Sequence, residues 1–265
     1  QSMLNTSTMD TEASVNQTVD LIKAGSELVR LTTQGEREAK NMALIREELN
    51  KRSYNTPLVA DVHFNSKVAD EAALHVEKVR INPGNYANSI DEIEHKFVPF
   101  LNLCKQHNTA IRLGVNHGSL NKRILEKYGD TPEGMTESCM EFLRICKREN
   151  FSNVIISVKA SNTRVMVQTV RQMARRMQEE GMNFPLHLGV TEAGSGEDGR
   201  IKSAVGIGTL LSDGLGDTIR VSLSESPVAE IPVAKKIVDF ISRKSKAAII
   251  AGFDENLYNP EQYSR

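Results

Sequence analysis

The chain has 265 residues, with 33 basic and 34 acidic side chains and a net charge of −1. That length accommodates one large domain or two small ones, and it lies near the roughly 250 residues typical of an α/β barrel. The charge balance argues against a bulk nucleic-acid binder or a membrane-surface protein, because both need a basic excess, so any cationic site must be local.

The predicted elements alternate along the chain. QSM at the start reads as the tail of a first strand, cut short. The next segment, 11–24, is helical, with Ala13, Val15, Val19, Ile22 and Ala24 on one broad apolar face. Asp10 is placed to cap its first turn and Gly25 to end it. A strand over 28–33 carries Arg30 and leads to a helix over 36–52. The strand over 58–64, within VADVHF, carries Asp61 and His63 and precedes a helix over 66–76. The strand over 78–83, in KVRINPGN, carries Arg80 and Asn82 and precedes a helix over 90–107. AIRLGVN, over 110–116, carries Arg112 and Asn116 and precedes a helix over 131–149. A strand over 154–160 carries Lys159, and the helix after it, 162–180, is closed by Gly181. A strand over 186–191 leads to Glu192 and a glycine-rich turn into a helix over 200–212. A last strand, 218–223, carries Arg220 and Ser222 before a helix over 228–243. The polar, turn-rich tail over 244–265 is either the start of a further domain or a frayed terminus.

Strict strand–helix alternation means parallel strands joined by right-handed crossovers. An open doubly wound sheet and a closed eight-fold barrel both satisfy it. An open sheet gathers its ligand contacts near one switch point. Here candidate residues stand at every strand end, as they do on the C-terminal face of a barrel. The expected fold is therefore a parallel (β/α)8 barrel with its first strand truncated.

Strand parity puts Arg112, Gly114 and Asn116 on one face, with Gly114 leaving room beside the arginine. The pairs Asp61 and His63, Arg80 and Asn82, and Arg220 and Ser222 each share a face in the same way. An inward arginine is expensive to desolvate unless it is paired or faces a wet pocket. Four arginines and Lys159 have only Asp61 and Glu192 as obvious acidic partners, which points to recognition of a multiply charged anion such as phosphate. Glu192 is the candidate for proton transfer, with a helix-cap or ion-pair role as its plain alternative. His63 is either a phosphate ligand or general acid, or a structural histidine. His75, His95, His107, His117 and His187 have no comparable placement. Turns at 81–85, 192–199 and 206–217 contain glycines whose backbone amides could cradle an anion. In GIGTLL no phosphate-loop lysine is present, so its glycines read as allowing close helix packing.

Cys104, Cys139 and Cys146 form no CxxC pair, so no metal site is read from this chain, and they are expected as buried helical thiols of a reducing compartment. No signal peptide is visible, and no apolar run approaches the roughly 20 residues that span a bilayer. The opening at QSMLNTST, without a starting methionine, reads as a piece of something longer.

QSMLNT, VADVHF, VRINPGN, IRLGVNHGSL, SVKASN, LHLGVTEAG, IKSAVGIGTLL and LGDTIRVSLSESP occur in this order, over residues 1 to about 243. Together they resemble the (E)-4-hydroxy-3-methylbut-2-enyl diphosphate synthase family of the non-mevalonate isoprenoid pathway. The resemblance implies a (β/α)8 barrel over 1–243 that binds 2-C-methyl-D-erythritol 2,4-cyclodiphosphate. It places substrate binding on Arg30, His63, Arg80, Arg112, Asn116, Lys159, Arg220 and Ser222, and acid/base work on Glu192. It also implies a separate C-terminal domain holding a [4Fe-4S] cluster on three cysteines and a glutamate, a ferredoxin- or flavodoxin-type reductant, a homodimer, and a cytoplasmic or plastid setting. LTTQGEREAKN and the tail at 244–265 resemble the longer three-domain form, in which an extra domain is inserted before the cluster domain. The family's CPxCG-type cluster motif is absent here. The expectation is thus a substrate-binding barrel without its own cluster, inactive as a fragment. Two other readings remain: a pterin-binding synthase-like transferase barrel, and a non-catalytic phospho-ligand binding domain.

Overall fold

The computed structural model describes residues 1–63 and 65–244; the expected tail beyond Lys244, and Phe64 at the end of VADVHF, lie outside the described residues. The chain runs β1 (Ser2–Met3), α1 (Thr11–Ala24), β2 (Val29–Thr32), α2 (Glu36–Lys51), β3 (Leu58–Asp61), α3 (Ser66–Ala73), β4 (Lys78–Ile81) and α4 (Pro83–Tyr86). It continues with α5 (Ile90–His107), β5 (Ala110–Asn116), α6 (Lys122–Tyr128), α7 (Pro132–Arg148), β6 (Val154–Lys159) and α8 (Thr163–Glu179). It ends with β7 (His187–Leu188), α9 (Gly196–Ser212), β8 (Thr218–Ile219) and α10 (Pro227–Lys244).

Strands β1 to β6 form one parallel sheet in sequence order, and β7 pairs with β8. Two contacts close the ring. Ile156 bridges to Leu186 in parallel sense between β6 and the start of β7. On the other side, the Gln1 backbone nitrogen donates to the Ile219 carbonyl at 3.0 Å, joining the start of β1 to β8. This is the expected (β/α)8 barrel, with QSM in its first strand. Strands β7 and β8 form shorter ladders than expected over 186–191 and 218–223, so Thr191, Arg220 and Ser222 stand on the chain leaving them.

Alternation within the strands decides what goes where. Val29, Leu31, Leu58, Ala60, Val79 and Ile81 turn outward and pack against the helices. The opposite parity turns inward, and there the chain supplies charge instead of the branched apolar side chains that usually fill a barrel of this kind. The helical layer therefore carries the apolar core. It includes an aromatic group from α4, α5 and α7, in which Phe97 meets Phe142 edge-on at 4.9 Å between ring centroids and Tyr86 meets Phe97 at 5.9 Å.

Local signals act as expected at several helix ends. The Asp10 carboxylate accepts from the Ala13 amide at 3.0 Å, and Gly25 ends α1 at φ 100°, a left-handed conformation that favours glycine. Gly181 has φ 66° after α8. Three features differ from expectation. The helices α4 and α6 were not anticipated; each begins behind an asparagine, Asn82 and Asn121, whose side chain accepts a first-turn amide. The helix α9 starts at Gly196, not at 200, so part of the expected 192–199 turn is helical. Its first turn carries Glu197 and Asp198, which suit the positive end of the helix dipole.

Phe97 is fully buried at the centre of the aromatic group. Phe97→Ala is expected to lower unfolding stability by about 3–5 kcal/mol, read by urea denaturation with an unchanged m-value.

Candidate functional site

A cavity of about 200 Å3 lies inside the barrel at the carboxyl ends of the strands. It is lined by Arg30, Asp61, His63, Arg80, Arg112, Asn116, Lys159, Arg220 and Ser222, together with Met3, Gly114, Ser157, Val190 and Thr191. All eight substrate-binding candidates are brought together here. Glu192 is not: it is exposed on the loop after β7, one residue beyond Thr191, and it does not line the cavity.

Sheet register explains the arrangement. Asp61, Arg80 and Arg112 are consecutive register partners across β3, β4 and β5, and Asn116 is the partner of Lys159 across β5 and β6. Asp61 is the hub. Its carboxylate meets Arg80 Nη1 at 3.1 Å, Arg30 Nη2 at 3.3 Å and His63 Nε2 at 3.1 Å. Burial pushes the Asp61 carboxyl up, but Arg30, Arg80 and the His63 hydrogen bond outweigh it and hold the group well below the usual carboxylate range. Arg80 also donates to the Gly114 carbonyl at 2.7 Å.

The glycines on the inward faces make the space. A Cβ at Gly114 would overlap Arg80 Nε, so the room at 114 serves Arg80 of the neighbouring strand and not Arg112 on its own. A Cβ at Gly189 would come within 2.9 Å of Lys159 Nζ.

The supply of negative charge falls short. Arg112 and Lys159 have no carboxylate partner among the described residues; Arg112 donates to Gln1 Oε1 at 3.3 Å. Burial, then Arg30 and Arg80, push the Arg112 guanidinium down from its ordinary value. Burial, then Arg112, Arg30 and Arg220, push the Lys159 ammonium down too. Met3 takes part as a soft acceptor: its sulfur accepts from Arg30 Nη2 at 2.8 Å and from Arg220 Nη1 at 3.3 Å.

Three residues escaped the sequence reading. Glu230, from the first turns of α10, is buried and places Oε2 3.5 Å from Arg220 Nε. Glu230 and not Glu192 is therefore the second acidic partner of the cationic group. The only sequence signal was its position seven residues after the strand end in SLSESPVAE, which does not specify direction. His187 is buried inside the barrel, with Nδ1 2.8 Å from Thr218 Oγ1; burial, Lys159 and Arg112 push it well below its ordinary value. Its parity with Gly189 and Thr191 was the available signal. Lys78 shares the inward face of Arg80, and burial and Arg112 lower its ammonium. Among the described residues, five cations line the cavity against two carboxylates, Asp61 and Glu230, which leaves an excess of three positive charges even before His63 is counted.

The glycine turns do not offer free cradles. The Gly84 amide is taken by Asn82 Oδ1 at 3.1 Å, and the Gly196 amide by Glu225 Oε1 at 3.0 Å. Gly206 lies inside α9, where a Cβ would press on Val190 and Met166, as expected for close packing.

The residues present do not fit an iron–sulfur cluster. Cys104, Cys139 and Cys146 are buried thiols, and burial raises all three, Cys104 and Cys146 to about 12. No group of three His, Cys, Asp or Glu among the described residues is arranged to hold a metal ion.

The GcpE TIM-barrel domain model matches residues 1–235. This chain belongs to that family. Among curated relatives of this GcpE barrel, 4-hydroxy-3-methylbut-2-en-1-yl diphosphate synthase (flavodoxin) of Parabacteroides distasonis is 62% identical, over 96% of this chain and 45% of its own length. The enzyme of that name from Bacteroides thetaiotaomicron is 61% identical, over 98% of this chain and 45% of its own length. The form named for ferredoxin, from Synechococcus sp., is 50% identical, over 99% and 71%. The chain spans a little under half the length of the first two. Among solved structures, Yersinia pestis dihydropteroate synthase superposes with a TM-score of 0.58 at 11% identity, over 93% of this chain and 92% of its own. At that identity the likeness shows the barrel fold alone. No helix among the described residues is long and apolar enough to cross a membrane.

Two outcomes test the site. Gly114→Ala is expected to displace Arg80 and weaken pyrophosphate binding about tenfold or more by calorimetry, with the circular dichroism spectrum unchanged. For Asp61, the folded carboxyl lies below its unfolded value of about 3.9, so its stabilisation is complete above that pH and is lost as pH falls through the folded value. The stability gap between wild type and Asp61→Asn is therefore expected to be flat from pH 7 to about 4 and to shrink only below that.

Proposed function

We propose that this chain is the substrate-binding barrel of an enzyme that reductively converts 2-C-methyl-D-erythritol 2,4-cyclodiphosphate to (E)-4-hydroxy-3-methylbut-2-enyl diphosphate. The observation that carries the reading is the buried excess of positive charge in the cavity, set in a chain whose relatives bear that enzyme's name. Arg30, Arg80, Arg112, Lys159 and Arg220 would grip the diphosphate, with His63, Asn116 and Ser222 as hydrogen-bonding partners. Their charge is in place before the reaction, so it can stabilise the phosphate oxygen that departs when the C–O bond opens. A hydroxyl then leaves as water, and two electrons enter from outside this chain.

On this reading, the [4Fe-4S] cluster is held by residues beyond those present here, and the full-length enzyme works as a homodimer in the cytoplasm or a plastid. The reductant is of the flavodoxin or ferredoxin type, in keeping with the words in the relatives' names. Residues 1–243 form the substrate domain, and 244–265 begin an inserted one.

Glu192 is assigned proton transfer. Its support is its place beside Thr191 at the cavity and its φ of 50°, a left-handed conformation rare for glutamate and found most often where function requires it.

Calorimetry of this chain with the cyclodiphosphate tests the substrate: wild type binds, and Arg112→Ala binds at least about tenfold more weakly. In the full-length enzyme, Glu192→Gln is expected to abolish most turnover while substrate affinity is retained. Near-normal turnover removes Glu192 from the mechanism.

A further inference from the structure

We infer that Glu230 is a positioning residue for the anion site, acting through Arg220; the inference rests on the anion-pocket reading above. Glu230 sits in the first turns of α10, behind the cavity, and is 3% exposed. Its Oε1 accepts the Leu223 amide at 3.0 Å, which ties α10 to the chain just after Ser222. Its Oε2 faces Arg220 Nε at 3.5 Å. This is an ion-pair contact without a hydrogen bond. It sets a carboxylate against the Nε edge of Arg220, and Nη1 rests on the Met3 sulfur at 3.3 Å. The guanidinium tip stays at the cavity wall, where an anion would meet it.

The charge around Arg220 shows why such an anchor is needed. Arg30 donates to the same Met3 sulfur from the other side, so two guanidinium groups converge on one thioether. Burial, and next the Arg30 charge, disfavour the Arg220 cation, while Glu230 favours it. Without a ligand, Asp61 serves Arg30 and Arg80, and Glu230 is the carboxylate in contact with Arg220 among the described residues. Remove that carboxylate and repulsion from Arg30 drives Arg220 away from the place where it would bind. Burial raises the Glu230 carboxyl, and Arg220 and the Leu223 amide oppose that rise.

Two effects of neutralising Glu230 have opposite signs. The pocket gains one net positive charge, which favours an anion at long range. Arg220 loses its preorganisation, which disfavours the anion at contact. A contact with a fixed guanidinium outweighs a screened charge behind it, so positioning is expected to win.

The test is a double-mutant cycle on pyrophosphate binding, by calorimetry, with Glu230→Gln, Arg220→Met and the double variant. Expected are about tenfold weaker binding by Glu230→Gln and no further loss when Glu230→Gln is added to Arg220→Met. Unchanged or tighter binding by Glu230→Gln overturns the inference, as does an equal loss in both backgrounds, which marks a structural role only. Should Glu230→Gln fail to fold, Glu230→Asp, one methylene too short to hold both contacts, takes its place in the same cycle with the same two outcomes. Absence of pyrophosphate binding by wild type would instead overturn the anion-pocket reading itself.

Discussion

The buried carboxylate of Asp61 is the interaction on which the interior of this barrel depends. A barrel lumen is a low-dielectric place, and one unpaired guanidinium there costs several kcal/mol. Asp61 contacts Arg30, Arg80 and His63 at once, and sheet register sets Arg80 and Arg112 beside it. It makes two inward arginines tolerable and fixes the direction in which each points. The remaining cations, Arg112 and Lys159, have no such partner among the described residues, and burial and their cationic neighbours push both down.

This arrangement moves the work of folding outward. The lumen contributes little apolar burial, so stability comes from the layer between strands and helices, where the outward strand residues and the aromatic group of Tyr86, Phe97, Phe100 and Phe142 pack. The outer layer holds the strands in register, and the register in turn places the charges. An anion that binds only the folded barrel would add to stability by mass action.

Most of the fold was legible because strand parity and helix periodicity are local. In 110–116, Ile111, Leu113 and Val115 alternate with Arg112, Gly114 and Asn116, and the structure follows them. The site was legible for the same reason: inward parity marked Arg80, Arg112 and Arg220 together. Glu192 and Glu230 show where local reading stops. Glu192 looked like a cavity acid because it follows a strand, but the left-handed turn at that residue leaves it exposed outside the lining. Glu230 has no sequence signal that tells which way it faces, and the fold of α10 buries it behind Arg220. His187 stands near the start of the expected strand over 186–191, so attention to strand ends alone gives it no role, although it shares parity with Gly189 and Thr191.

The sequence by itself determined the alternation of elements, the eight-fold parallel barrel, the inward set of cations and the family resemblance, because each depends on spacing or on ordered motifs. Tertiary structure alone decided which acids reach those cations, which glycine makes room for which side chain, and that the three buried cysteines stand outside the cavity lining. Those facts depend on distances between residues far apart in the chain, such as Asp61 to Arg30 and Arg220 to Met3 across the closing seam. Spacing along the chain does not encode them; closure of the barrel does.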